Sequence, residues 1–203
     1  ADAFGLYVGE WGMWVDQDEA TDPPALYQQG SIRDAIVAGL NLNLFHAHAD
    51  VVKMTNIAQM VNVLQAMILT DGPDMVLTPT YHVFDMYQPF MSAEALEMNL
   101  QSPDYVFGDV TVPAISASAA RTEDSRIVLA LVNASAHDDH LVDASAFGAS
   151  KATGRILQGE EMDSHNTFDG PDRVQPAPYI VDGTADDLVL SIPARSVVVV
   201  TLD

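Results

Sequence analysis

The pattern of hydrophobic residues changes near residue 100, and this change limits the folds open to the chain. Before it, apolar runs of strand length alternate with a segment of helical spacing, which is the rhythm of a parallel α/β sheet. From residue 106 onward, short β-branched runs are separated by Gly, Pro, Asn and Asp, which is typical of an antiparallel β-sandwich. We therefore predict an α/β domain over residues 1–102 and an all-β domain over residues 103–203.

The first domain begins with a short apolar segment that leads to a carboxylate. Residues 4–9 predict a buried strand that ends at Glu10. Ser31, followed three residues later by Asp34, forms an acidic variant of the capping box and predicts a helix from Ser31 to about His46. The other predicted elements of this domain are a strand over residues 51–55, a short helical segment over 60–69 and a helix over 81–91.

The second domain contains five runs with the composition of β-strands. Each is rich in Val, Ile or Leu and is bounded by turn residues. They lie at residues 110–112, 115–117, 127–132, 188–192 and 197–202.

Charge and composition exclude several classes of function. The chain has 8 Lys and Arg against 29 Asp and Glu, a formal net charge of −21 that repels both nucleic acid and anionic lipid. A neutral ligand such as a sugar is compatible with this charge, which is also typical of a solvated acidic surface. The chain has no cysteine, so it can form neither a disulfide nor a thiolate metal site. Its apolar runs are shorter than the roughly 20 residues that span a bilayer.

Glu10 is the candidate for a catalytic residue. It follows the first predicted strand and is flanked by Trp11 and Trp14. In barrel enzymes the catalytic side chains lie at the C-terminal ends of the parallel strands, and a carboxylate there can attack the anomeric carbon of a sugar. A structural interpretation stays open at this point, since Glu10 could cap the next segment or pair with an arginine. Both indoles could then belong to the core.

Eight short motifs, in order along nearly the whole chain, resemble the α-L-arabinofuranosidases of glycoside hydrolase family 51. They are EWGxW at residues 10–14, LYQQ at 26–29, RDA at 33–35, HAD at 48–50, NIAQMVNVLQ at 56–65, LTPTYHVF at 77–84, HNTF at 165–168 and SVVVV at 196–200. The resemblance implies the last two β/α units of a (β/α)₈ TIM barrel, followed by an antiparallel β-sandwich.

The resemblance also implies roles for three residues. Glu10 falls on the position of the family's catalytic nucleophile, although the residue before it is Gly9 where the family has an aspartate. Gln59 matches a glutamine that hydrogen-bonds a hydroxyl of the bound arabinofuranose, and Trp14 matches an aromatic residue beside the leaving-group subsite. The family's acid/base glutamate follows an asparagine, and no Asn-Glu pair occurs in this sequence. We therefore expect the chain alone to be inactive.

The implied substrate is an arabinose-containing polysaccharide or oligosaccharide, cleaved with retention and without a metal or other cofactor. The resemblance further implies a homo-oligomer for the complete enzyme and a cytoplasmic location. Three alternatives stay open: a barrel glycosidase of other sugar specificity, a non-catalytic carbohydrate-binding or structural β-sandwich module, and a short protein that assembles a barrel from several chains.

Overall fold

A computed structural model describes residues 4–15 and 28–203. Within these ranges the chain forms two α-helices, Ile32–Ala47 (α1) and Pro79–Met86 (α2), and fourteen β-strands. The strands are Leu6–Trp11 (β1), Val52–Ile57 (β2), Ile68–Asp71 (β3), Asp74–Leu77 (β4), Glu94–Leu96 (β5), Asp104–Phe107 (β6), Val110–Pro113 (β7), Ile115–Arg121 (β8), Ile127–Asn133 (β9), His140–Asp143 (β10), Lys151–Gln158 (β11), Ala177–Asp182 (β12), Val189–Ile192 (β13) and Ser196–Leu202 (β14).

The first part of the chain forms a strand–helix–strand unit. Strands β1 and β2 pair in parallel, and α1 lies between them in the sequence. The capping box is present at the start of α1, because the Ser31 N–H donates a hydrogen bond of 2.8 Å to Asp34 Oδ2. The predicted strand–helix–strand order is confirmed, with β1 ending at Trp11 rather than at Glu10. The prediction that this strand is buried is wrong, because β1 pairs with β2 alone among the described strands and most of its residues are exposed.

A six-stranded antiparallel sheet organises the rest of the molecule, with the order β12-β11-β14-β9-β8-β5. Its central strands β9 and β14 are buried along nearly their whole length instead of on alternate residues. Both faces of the sheet are covered, and this explains the unbroken apolar runs that the sequence shows there.

Two hydrophobic clusters cover the two faces of this sheet. On one face, α1 and α2 pack against Val132 and Val197. On the other face, the antiparallel pair β10–β13 contributes Leu190 and Ile192, which pack with Leu131. Each of the five predicted β runs coincides with a strand, so the second part of the chain is rich in sheet, as expected.

The prediction of a short helical segment over residues 60–69 is wrong. The chain there turns through left-handed conformations at Asn62 and Leu64, with φ of 62° and 52°, and β3 begins at Ile68. Asn62 accepts a hydrogen bond of 2.6 Å from the Thr70 backbone N–H. Side-chain bonds of this kind compete with helical bonds and override the local preference for helix.

The helix predicted over residues 81–91 is shifted. It begins at Pro79, since proline is well suited to the first turn of a helix, and it ends at Met86. A single 3₁₀ turn, Gln88–Phe90, follows it. Pro89 accounts for this end because its ring would clash with the carbonyl of Asp85 in a continued α-helix.

Candidate active site

Glu10 lies at a bulge near the end of β1. Val8 is paired with Thr55 and Trp11 with Ile57, so three steps along β1 correspond to two along β2. One extra residue therefore interrupts the regular alternation of side chains just before Trp11. The Glu10 side chain is exposed.

Trp11 anchors this end of the strand. Its ring packs edge-on against Phe45 of α1, with centroids 5.3 Å apart, and stacks on Phe84 of α2 at 5.9 Å. The Trp11 ring is thus held against the two helices, whereas the side chain of Glu10 is exposed. The Trp11 Nε1 atom is buried and has no hydrogen-bond partner among the residues that the structure describes.

An open cleft of about 320 Å³ surrounds Glu10. It is lined by Glu10, Trp11, Gly12, Met13, Trp14, Ala58 and Leu64. Glu10 is the one ionisable side chain in this lining, considering residues 4–15 and 28–203. Trp14 is 66% exposed, so its indole is available to a ligand. The structure thus brings two of the three predicted site residues into one cleft.

Gln59 lies beside this cleft but does not line it. The residue before it, Ala58, donates its N–H to the Trp11 carbonyl at 2.8 Å, so the end of β2 is held next to the end of β1. Gln59 follows on the exposed surface.

Two buried glutamines fix the segment that follows Glu10, and the sequence analysis missed both. Gln65 accepts a hydrogen bond of 2.6 Å from the Met13 N–H and donates one of 2.8 Å to the Asp34 carbonyl. Gln28 accepts from the Val15 N–H at 3.1 Å and donates to the Met13 carbonyl at 3.1 Å. Both glutamines lie within the motifs that carry the resemblance, but sequence alone does not distinguish a buried amide from a solvated one.

His46 lies near the end of α1, outside this cleft. His46 Nδ1 forms a 2.9 Å hydrogen bond with Ser118 Oγ, and burial lowers the pKa of His46 to about 4.

Within the described ranges, no three His, Asp or Glu residues are grouped as metal ligands. None of the described helices is long and apolar enough to cross a membrane. Several large apolar side chains around β1 and β2 are exposed, namely Phe4, Leu6, Tyr7, Met54 and Met60.

The fold and the cleft together indicate the class of ligand that this protein can bind. The molecule is a sheet-rich domain preceded by a parallel strand pair, whose end carries an exposed carboxylate beside an accessible indole. An indole face and a single carboxylate suit a neutral ligand that bears hydroxyl groups.

Comparison with known proteins identifies the family. The sequence model of the family described as α-L-arabinofuranosidase C-terminal domain matches residues 9–196. The chain therefore belongs to the α-L-arabinofuranosidase C-terminal domain family. It is 41% identical, over 97% of its length, to a protein of Bacteroides ovatus named intracellular exo-α-L-arabinofuranosidase. An intracellular exo-α-(1→5)-L-arabinofuranosidase of Bacillus subtilis is 28% identical over 59% of the chain.

Solved structures agree with this assignment. The crystal structure of the GH51 arabinofuranosidase from Xanthomonas axonopodis pv. citri superposes with a TM-score of 0.91 and 43% identity, covering 98% of this chain. An arabinose complex of the Thermotoga maritima α-L-arabinofuranosidase, at 22% identity and a TM-score of 0.81, shares the fold. The chain spans 39% of the Bacteroides protein and 41% of the Xanthomonas chain.

Proposed function

We propose that this chain carries the catalytic nucleophile, Glu10, of an exo-acting α-L-arabinofuranosidase that releases terminal α-L-arabinofuranosyl groups with retention of configuration. The observation that carries the proposal is the placement of the exposed Glu10 carboxylate in an open cleft beside the accessible indole of Trp14. The names of the relatives in Bacteroides ovatus and Bacillus subtilis support the choice of sugar.

The reaction is a double displacement. A Glu10 carboxylate oxygen attacks the anomeric carbon while a second carboxylic acid protonates the departing oxygen, and water then hydrolyses the glycosyl ester. The two carboxyl groups of a retaining enzyme lie about 5–5.5 Å apart. Of the described residues, only Glu10 brings a carboxylate to the cleft lining. The sequence also contains no Asn-Glu pair of the kind that carries the family's acid/base, so the proposal places the acid/base in a part of the complete enzyme outside this chain.

Trp14 and Gln59 bind the substrate near Glu10. The indole face of Trp14 stacks against the sugar of the leaving group, because the ring offers a flat apolar surface in the cleft. The exposed Gln59 lies two residues beyond the end of β2, and its carboxamide can both donate to and accept from a hydroxyl of arabinofuranose. No metal or other cofactor takes part.

Strand β1 with helix α1, and strand β2 with helix α2, represent the last two β/α units of a (β/α)₈ barrel over residues 1–102, and residues 103–203 form a β-sandwich. The exposed apolar side chains of β1 and β2, such as Leu6 and Met54, are then covered by the other strands of the barrel. Strand β5 pairs with β8 across the proposed boundary at residue 102, so the two domains share a sheet.

The complete enzyme acts on arabinose-containing polysaccharides or oligosaccharides in the cytoplasm, as a homo-oligomer, and binds neither nucleic acid nor membrane. The acidic net charge of −21 supports the last point, and the word "intracellular" in the relatives' names supports the location.

A chimera tests this function. This chain replaces the matching part of the Bacteroides ovatus relative, and hydrolysis of an aryl α-L-arabinofuranoside is measured. We expect activity in the chimera, none in the chain alone, and loss of activity by several orders of magnitude in Glu10→Ala. The exposed Glu97, which lies outside the cleft, provides the control Glu97→Ala, which should retain full activity.

Azide distinguishes a nucleophile from an acid/base. In Glu10→Ala, added azide should restore turnover and give the arabinofuranosyl azide of inverted configuration, because azide replaces the missing carboxylate.

Cleavage of xylosides or glucosides in preference to arabinofuranosides would favour a barrel glycosidase of other specificity. Sugar binding that persists in Glu10→Gln and in residues 106–203 alone would favour a binding module. Activity in the chain alone, with a native mass of several copies, would indicate a barrel assembled from several chains.

A further inference from the structure

We propose that Gln65, assisted by Gln28, is a positioning residue that holds Trp14 beside Glu10. Its catalytic consequence rests on the proposed function, whereas the positioning itself does not. Trp14 lies in residues 12–15, which have no regular secondary structure, and its own side chain is 66% exposed. Packing of the indole therefore cannot be what fixes its position.

Side-chain amides bind the backbone N–H and carbonyl groups of this segment, which in a sheet or helix would bind other backbone groups. The Met13 N–H is bound by Gln65, while the Met13 carbonyl and the Val15 N–H are bound by Gln28. Trp14 lies between these two fixed residues. Three backbone groups are thus satisfied by two glutamines, and this leaves the intervening peptide little freedom.

The orientation of the Gln65 carboxamide is determined by its two ends. Its oxygen accepts from the Met13 N–H at 2.6 Å, and its nitrogen donates to the Asp34 carbonyl at 2.8 Å. Gln65 is only 1% exposed, so neither bond can be replaced by bulk water without rearrangement. An inverted amide would leave both partners unsatisfied.

Asp34 connects both glutamines to the start of α1. Its carbonyl accepts from Gln65, and its carboxylate oxygen Oδ1 accepts from Gln28 Nε2 at 3.3 Å. The second oxygen, Oδ2, accepts from the Ser31 N–H and caps the helix. The segment that carries Trp14 is therefore attached to the first turn of a buried helix.

Glycine at position 12 permits this arrangement. Its φ is +151°, and a Cβ atom added there would lie 2.7 Å from Gln65 Oε1. The close approach of the amide and the backbone conformation both depend on the missing side chain.

Trp14 fluorescence tests the positioning in the 203-residue chain, which has only two tryptophans. In a Trp11→Phe background, Trp14 is the sole emitter, and Gln65→Met removes both hydrogen bonds while keeping the side-chain length. We expect the amplitude of the fast component of the time-resolved anisotropy decay to rise about twofold. Asn43→Leu removes another buried amide of the same region and should leave this amplitude unchanged. An unchanged amplitude in a folded Gln65→Met, or an equal rise in Asn43→Leu, would overturn the proposal.

Hydrogen exchange gives a test that needs no variant. The amide protons of Met13 and Val15 should exchange at least about tenfold more slowly than in an unstructured peptide, because both are bound by buried glutamines. Exchange at the unstructured rate would show that the glutamines do not hold the segment.

Kinetics of the active chimera test the consequence. Gln65→Met should lower kcat/KM by about tenfold for an arabinofuranoside with a sugar leaving group, and by much less for methyl α-L-arabinofuranoside, which is too small to reach Trp14. Equal losses for both substrates would indicate a merely structural role. An inactive chimera with Glu10 intact would contradict the proposed function instead, and the anisotropy would still decide the role of Gln65.

Discussion

Arg155 of β11 donates a hydrogen bond of 2.6 Å to the carboxylate of Asp85, near the end of α2, and a second of 3.1 Å to its backbone carbonyl. This pair joins the helix to the six-stranded sheet. Both side chains are partly shielded from solvent, and the two guanidinium nitrogens bind different oxygens of one residue. Such a fixed geometry makes a surface ion pair contribute more than an isolated contact.

Arg155→Met should therefore lower the free energy of unfolding by about 1 kcal/mol, as measured by chemical denaturation. The matched control is Lys151→Met on the same strand, because Lys151 forms a single 3.3 Å contact with the exposed Asp182. That control should change the stability by less than about 0.5 kcal/mol. Equal losses of stability in the two variants would show that the Arg155–Asp85 pair contributes no more than the Lys151–Asp182 pair.

Gly12→Ala should destabilise the protein by about 2 kcal/mol, because the added Cβ combines a strained φ with contact on Gln65. Gly108→Ala is the control. The φ of Gly108, +58°, is also left-handed, but a Cβ there meets no atom within 4 Å, so the loss of stability should be about 1 kcal/mol. Thermal unfolding of the two variants gives the comparison, and a smaller loss at Gly12 than at Gly108 would contradict it.

His46 should make stability fall as the pH drops below about 6.5. Burial lowers the pKa of His46 to about 4 in the folded protein, from 6.5 in an unperturbed histidine. Between these values the unfolded chain takes up a proton that the native protein does not. The free energy of unfolding therefore declines toward low pH by up to about 1.4 kcal/mol per pH unit, and the full stability is present above pH 6.5.

The control for this effect is His46→Gln, whose stability should lack this part of the pH dependence. Ser118 Oγ donates to Asn43 Oδ1 at 2.8 Å, so it accepts from His46, and the proton of the neutral ring lies on Nδ1. Nitrogen NMR of the imidazole measures both the tautomer and the pKa. A pKa near 6.5 would refute the prediction.

Asn133 should be among the polar residues whose loss destabilises the sheet most. It is fully buried at the end of β9, and its amide nitrogen donates to the carbonyls of Ile192 and Asp138 at 3.0 and 2.9 Å. Asn133→Ala leaves both carbonyls without this donor and should lower the free energy of unfolding by about 2–3 kcal/mol. Gln88→Ala, which removes one exposed 3.0 Å bond to Asp85, should be nearly neutral in the same denaturation experiment.

Elements with a strong local signal could be predicted from the sequence. The capping box at Ser31 fixes the start of α1, and the apolar runs of β9 and β14 are continuous because both faces are covered. The cleft position of Glu10 and Trp14 also agrees with the sequence. Their chemical roles and that of Gln59 stay predictions.

Elements that depend on distant partners could not be predicted. Residues 60–67 are held by bonds such as that of Gln65 to Met13, which spans 52 positions in the sequence. Strand β11 has a mixed composition and contains Gly154, which reads as a strand breaker, yet it pairs with both β12 and β14. Glycine is needed there because a Cβ would collide with the Val199 carbonyl.

The bulge in β1 makes the length of this strand more critical than its composition. Residues 8–11 take three steps where β2 takes two, so the chain between Val8 and Trp11 has one residue more than a regular pairing needs. An opposite shift between Leu6 and Tyr7, where one step along β1 corresponds to two along β2, offsets this extra residue. Deleting Gly9 would therefore leave β1 one residue short of β2 and displace Glu10 and Trp11 from their present places. Substitutions at position 9 should therefore be tolerated far better than any single-residue insertion or deletion.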